Sequence, residues 1–141
     1  MNLIELSLRL ALEAHAGQRD RAGDPYILHP MRVMTAVEGD AARAAALLHD
    51  VVEDSATSLD DLHRAGVPEA VVVAIDALTK RNGEDYDAYL DRVIVDPIAR
   101  TVKRSDVRDN LRIERLTEVG EEDVARLNRY LGALRRLQRG R

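Results

Sequence analysis

The sequence predicts an all-α fold of seven to eight short helices, and three observations carry that expectation. Apolar residues recur at helical spacing along nearly the whole chain. Gly39, Gly66, Gly120, Pro68 and Pro97 punctuate the periodic stretches where helices stop and start. No segment alternates apolar and polar residues as a half-buried strand would. With 141 residues, 45% apolar and 33% charged, a single domain over residues 1–141 is expected, long enough to bury a real core.

The elements follow in order. Ile4, Leu8, Ala11 and Leu12 form an apolar stripe, widened by Leu3, Leu6, Leu10 and Ala14, opposite a polar face of Glu5, Arg9 and Glu13. That pattern predicts a helix from about residue 2 to 16. Gly17, Gly23 and Pro25, with four charges between them, read as a loop. Pro30 suits the first turn of a helix through Met31, Val33, Met34 and Val37, which Gly39 ends. Asp40 is then the expected N-cap of a helix from Ala41 to about Asp54. Ser58-Leu59-Asp60-Asp61 has the form of a capping box, opening a helix to Ala65 that Gly66 stops. Pro68 opens the next, to about Thr79; the β-prone Val71-Val72-Val73 run is outweighed by that start signal and by length. Asn82-Gly83 is a turn, and Glu84 to Val95 a further helix. Pro97 initiates a long helix to about Val119, and Glu121 to Gln138 forms the last.

Composition excludes several function classes. There is no cysteine, so disulfide frameworks, zinc–thiolate sites and thiol nucleophiles are ruled out. Phe and Trp are absent and only four Tyr occur, so the core must be Leu, Val, Ile and Ala, a set that suits closely spaced helices. A stacking platform for single-stranded nucleic acid would need more aromatics, and a net charge of −4 argues against nucleic acid as the main partner. Met1 leads directly into charged, amphipathic sequence and no apolar run approaches a membrane span, so neither leader nor membrane contact is expected and the setting is cytoplasmic.

The chemistry concentrates in three places. In His49-Asp50-Val51-Val52-Glu53-Asp54, the pairs His49/Glu53 and Asp50/Asp54 are spaced i,i+4, which puts four polar residues on one helix face. Such a face is ordinarily solvated, but here Ala42 and Ala46 continue it as small residues instead of charges. On the helix after Pro97, Asp106 and Asn110 form another i,i+4 pair, with Lys103 one turn before. Ala99, Val102 and Ile113 on the same stripe should face the core. A carboxylate there is costly unless paired or metal-bound, so a buried Asp–Arg pair and a metal ligand both fit. His29, in Pro25-Tyr26-Ile27-Leu28-His29-Pro30, sits at a loop-to-helix junction. His15 and His63 lie among small or charged residues and carry no assigned role. Taken together, His29, His49, Asp50 and Asp106 supply a mixed nitrogen and oxygen donor set suited to a borderline divalent ion such as Mn²⁺, Fe²⁺ or Zn²⁺. Glu53 and Asp54, one turn on, could orient a water or carry its proton.

These residues resemble the HD-domain metal-dependent phosphohydrolases. Gly23 to Pro30, Ala46 to Ser55 and Val102 to Asn110 are together similar to the hydrolase domain of the RelA/SpoT enzymes and to the stand-alone small alarmone hydrolases, over roughly residues 5 to 116. The resemblance implies an all-helical HD fold holding one Mn²⁺, or another divalent metal, through His29, His49, Asp50 and Asp106. It implies that Glu53 and Asp54 are the catalytic acidic pair. They would act on the water that attacks the 3′-pyrophosphate of guanosine tetra- or pentaphosphate, giving GDP or GTP plus pyrophosphate, and Asn110 would help hold the nucleotide. Further phosphate contacts are expected from Arg19, Arg21, Lys103 and Arg112. The stretches between the motifs are shorter than in typical alarmone hydrolases, and Arg19 and Arg21 flank Asp20 where the family carries adjacent basic residues. The departures fall where base and ribose would be recognised.

Two alternatives stand beside that reading. The same site could serve a nucleotidase or another nucleotide pyrophosphohydrolase, and an HD scaffold could bind a nucleotide without catalysis. The second predicts loss of a ligand or acid, yet all six positions are filled. Leu127, Leu131 and Leu134 fit either internal packing or a seam in a homo-oligomer, and Arg135, Arg136, Arg139 and Arg141 form a small basic tail.

Overall fold

The structure is a computed structural model that describes residues 1–139. Among the described residues there are nine α-helical segments: α1 (Leu3–His15), α2 (Leu28–Thr35), α3 (Asp40–Leu48), α4 (Val51–Asp54), α5 (Leu59–Arg64), α6 (Glu69–Leu78), α7 (Tyr86–Val95), α8 (Pro97–Asn110) and α9 (Glu121–Arg139). A 3-10 turn at Ile113–Arg115 joins the last two, and the described residues contain no strand. The all-α expectation therefore holds.

Helix α3 is the centre of the packing. Helices α1, α2, α6 and α8 all pack on it, and Ala42, Ala44, Ala45, Ala46, Leu47 and Leu48 are buried along its length. Four small side chains in one helix let its neighbours approach closely, which is how a core without Phe or Trp fills its space. Around them, Val33, Val51, Leu62, Ile75, Leu90 and Val102 are fully buried.

Local signals set most boundaries. Asn2 caps α1 by accepting from the Glu5 N–H while Glu5 accepts from the Asn2 N–H. The Ser58/Asp61 box caps α5 in the same reciprocal way, as its sequence predicts. Asp96 caps α8 through the Ala99 N–H, with Pro97 at the first helical position. Gly39, not Asp40, occupies the cap of α3: its φ of +87° is open to glycine at little cost, and Asp40 moves into the first turn.

The structure departs from expectation in other places as well. The helix predicted from Ala41 to Asp54 is broken at His49-Asp50, which accounts for the ninth segment. His49 Nδ1 donates to the Ala46 carbonyl at 2.6 Å, the acceptor that an unbroken helix would offer to the Asp50 N–H. Helix α8 ends at Asn110 instead of running on to Val119, and Ile113, expected in the core, is 55% exposed. The Leu111 and Arg112 N–H groups fold back onto α8 carbonyls, closing the helix there. In α1 the buried line is Ser7, Ala11 and His15, so Leu12 is exposed. Finally, the three leucines of α9 divide: Leu134 packs on the core, Leu127 lines a cleft and Leu131 is exposed. Arg136 of the basic tail ties α9 to α7 by a 2.6 Å bond to Asp91, and residues 140–141 lie outside the described residues.

Candidate metal centre and its cleft

Three elements bring four ligand-type side chains to one point. His29 comes from the first turn of α2, where Pro30 and the preceding loop fix its entry. His49 and Asp50 come from the break between α3 and α4, and Asp106 from the buried face of α8. His29 Nε2 lies 2.8 Å from Asp106 Oδ1 and 4.0 Å from Asp50 Oδ2. His49 Nε2 lies 3.0 Å from Asp50 Oδ2 and 3.3 Å from Asp106 Oδ1. Ligands about 2.1 Å from a common ion sit about 3 Å from each other, and His29, His49 and Asp50 hold ligand atoms within 4.8 Å of one another with Asp106 beside them, a spacing compatible with a shared ion.

The proton positions on the two rings favour the same use. Because His49 Nδ1 donates to the Ala46 carbonyl, the neutral ring keeps its lone pair on Nε2. That Nε2 atom is fully buried and makes no well-aligned hydrogen bond although Asp50 Oδ2 and Asp106 Oδ1 lie 3.0 and 3.3 Å away, an arrangement that a bound cation would satisfy. His29 Nδ1 is 2.6 Å from Asp109 Oδ2 and donates to it, so its lone pair also points at the cluster. Two imidazoles and two carboxylates with lone pairs converging fit a divalent cation of borderline hardness. The residues present therefore fit the group the resemblance implies.

Charge is balanced around the cluster. Burial disfavours the ionised form of Asp106, but the Lys103 ammonium, 2.9 Å from Oδ2, and the two imidazoles outweigh it and hold the carboxyl well below its usual range. Burial alone would lower His49, yet Asp50 and Asp106 raise it well above an ordinary imidazole. Desolvation likewise opposes the charged form of His29, and its bonds to Asp106 and Asp109 leave it raised. Tyr26 donates its hydroxyl to Asp50 Oδ2 and, buried beside that charge, has its phenol pushed far up. Asn110 Nδ2 donates to Asp106 Oδ1 at 3.2 Å.

Glu53 and Asp54 stand on α4 at the mouth of the site, more exposed than the four ligand-type residues. Burial raises the Glu53 carboxyl, with the Asp50 charge adding to it against a 2.6 Å bond from the Lys80 N–H. Asp54 is raised by burial and by Asp50. Both face a cleft of about 400 Å³ that also exposes His29, Asp50 and Asp106.

All five residues expected to contact substrate line this cleft, namely Arg19, Arg21, Lys103, Asn110 and Arg112, but their charges are not equally free. Lys103 is committed to Asp106, Arg112 to Glu114 and Asp109, and Arg19 to the Gly23 carbonyl. Only Arg21 among the cations has a side chain without a partner among the described residues. Asp20, between the two arginines, turns inward and accepts from the Ala22 and Asp24 N–H groups. The buried Asp–Arg pair considered for Asp106 occurs instead one turn on, where Arg32 holds Asp109 through Nε at 2.8 Å and Nη2 at 3.1 Å.

Sequence reasoning missed the supporting residues. Asp109, Arg32 and Tyr26 orient the ligand-type side chains, and Arg126 and Tyr130 reach the cleft from α9. A second lobe of about 410 Å³ shares Asp50, Glu53 and Lys103 with the cleft and is walled by Tyr86, Tyr89 and Tyr130. Arg129 stacks on two of these rings, at 5.5 Å from Tyr86 and 5.7 Å from Tyr130. The scarcity of aromatics was the available signal: three of the four tyrosines in the chain meet here.

Comparison with known proteins gives the site its kinship. No model of a known protein family matches the chain. A GTP pyrophosphokinase of Streptomyces coelicolor is 35% identical over 125 residues, 79% of this chain and 15% of that protein. A guanosine-3′,5′-bis(diphosphate) 3′-pyrophosphohydrolase of Aquifex aeolicus is 30% identical over 122 residues, 77% of this chain and 17% of that one. The chain thus spans only a small part of the curated relatives it matches. Among solved structures, a metazoan ortholog of SpoT that hydrolyses ppGpp superposes with a TM-score of 0.81 at 24% identity, over 99% of this chain and 87% of that one. That likeness shows a shared fold, and no described helix is long and apolar enough to cross a membrane. With the helical fold in common and 30 to 35% identity over more than three quarters of its length, the chain is an HD-type domain of the RelA/SpoT hydrolase-like family.

Proposed function

We propose that this chain hydrolyses the 3′-pyrophosphate of guanosine tetra- or pentaphosphate, releasing pyrophosphate, with a divalent metal held by His29, His49, Asp50 and Asp106. The observation that carries the reading is the convergence of two imidazole lone pairs and two carboxylates beneath a raised acidic pair. The names of the Aquifex and metazoan relatives support the substrate. Manganese as the ion, the cytoplasm as the setting and one domain as the working unit belong to the same proposal.

A bound divalent ion supplies charge neutralisation for the phosphates and acidifies water. The remaining work falls to the chain. Glu53 and Asp54, with carboxyls raised toward the working pH, would take and return the proton of the attacking water. Asn110 and Arg21, both on the cleft wall, would bind the nucleotide, and Tyr26 would hold Asp50 in place. Lys103 would act through Asp106 instead of contacting substrate, because its ammonium is already spent there.

The test is product analysis with metal-stripped protein, with and without added Mn²⁺, on guanosine tetraphosphate and a panel of nucleoside mono-, di- and triphosphates. Mn²⁺-dependent GDP and pyrophosphate, absent in Asp50→Ala, are the expected products. Turnover of another nucleotide alone would overturn the substrate, and tight metal binding with no turnover would overturn catalysis.

A further inference from the structure

Helix α8 has two working faces. One carries Lys103, Asp106 and Asn110 into the metal cleft. The other, with α2, forms a second groove of about 230 Å³, sharing only Arg112 with the cleft, in which Arg32, Arg104, Arg108 and Arg112 meet beside Thr101. Four guanidinium groups share this groove with a single carboxylate, Asp109.

The four are not equivalent. Arg32 and Arg112 are held by Asp109, and Arg112 also by Glu114. Arg104 and Arg108 make no hydrogen bond and no ion pair with any described side chain. They stand one helical turn apart, a spacing at which like charges repel unless an anion lies between them. Some arginines of the chain are neutralised by carboxylates, as Arg92 by Glu84 and Arg126 by Asp123, whereas Arg104 and Arg108, like Arg21 in the cleft, are not. The planar fork of arginine matches the oxygens of a phosphate group, and the Thr101 hydroxyl on the same wall adds a further donor.

We infer that this groove is a second anion site, taking a small phosphate anion of about pyrophosphate size, back to back with the metal cleft. The volume suits an inorganic diphosphate or the diphosphate end of a nucleotide, and the excess of cations supplies the attraction. The site is not isolated. Arg32, which lines it, holds Asp109, and Asp109 holds His29, so an anion binding Arg32 competes with the carboxylate that orients His29.

The test titrates pyrophosphate into the full-length, metal-stripped protein while amide shifts are followed by NMR. Shifts of Ala36, Val37 and Thr101 report the groove, and those of Tyr26 and Leu116 report the cleft. The expected result is saturable groove shifts whose apparent Kd rises at least tenfold in Arg104→Ala/Arg108→Ala, with the cleft shifts unchanged. Arg108→Glu, at an exposed position, repeats the loss should the double variant fold poorly. Comparison with GDP decides between the inorganic anion and a nucleotide end. Absence of groove shifts at millimolar pyrophosphate, the same affinity in both variants, or tighter groove binding by a glutamate-rich peptide would overturn the site.

Discussion

His29 is fixed from both sides: Nε2 faces the ligand cluster, and Nδ1 donates to a carboxylate that two arginines already hold. Removing the acceptor charge while keeping the shape isolates this orientation. Asp109→Asn should weaken divalent-metal binding about 10- to 100-fold, the usual cost of losing such a partner. Calorimetric titration with Mn²⁺ reads this directly, and an affinity within twofold of the parent would mean that packing alone orients the ring. Lys103 presents the opposite case, a buried ammonium serving a buried carboxylate. Lys103→Met takes from Asp106 its strongest counter-charge, leaving only the imidazoles and Asn110, and should cost the metal-free protein about 3 kcal/mol in urea unfolding. With metal bound, the divalent charge takes over part of the neutralisation, so the penalty should shrink. An equal loss in both states would assign Lys103 to packing through its stem over Tyr89, where its ammonium lies 5.2 Å from the ring centre.

Elements were legible wherever their ends are decided locally. Ser58 and Asp61 form the reciprocal cap that their spacing implies, and Ser58→Ala should cost about 1 kcal/mol in thermal or urea unfolding. Metal affinity should not change, since α5 contributes no residue to the cluster; a parallel loss of affinity would contradict the independence of the two. The break at His49-Asp50 was not legible, because it depends on partners from α2 and α8 that the local pattern does not contain. The apolar periodicity runs through that point without interruption, and only the folded site gives the His49 ring reason to take a backbone carbonyl. The overlong reading of α8 has a similar cause. Ile113 fits the stripe by spacing, yet Arg112 is drawn to Asp109 and Glu114, and the chain turns before that spacing matters. The four ligand-type residues were legible from residue type and motif, while Asp109 and Arg32 were not, since they meet across 77 positions of sequence.

At the scale of the whole molecule, the centre joins α2, the α3–α4 break and α8, all of which pack on or flank the central helix, so its occupancy is tied to global stability. An ion binding only the folded chain at 100 times its Kd should stabilise it by about 2.7 kcal/mol. The pH dependence has a definite sign. In the metal-free protein the imidazoles of His29 and His49 are raised, so their protonated, carboxylate-paired forms stabilise the fold fully below about pH 6.5. That contribution fades as pH rises through the folded-state values. The lowered carboxyls of Asp106 and Asp109 act at the other end, contributing above about pH 4 and fading as pH falls below it. A metal must displace the imidazole protons to bind, so its affinity rises with pH over the range in which the metal-free protein loses stability. The two trends add. The difference in Tm between metal-loaded and metal-free protein, measured by scanning calorimetry at fixed Mn²⁺, should therefore widen from pH 6 to pH 8. A gap that stayed constant or narrowed would show that the imidazoles are not the groups the metal displaces, and would remove His29 and His49 from the ligand set.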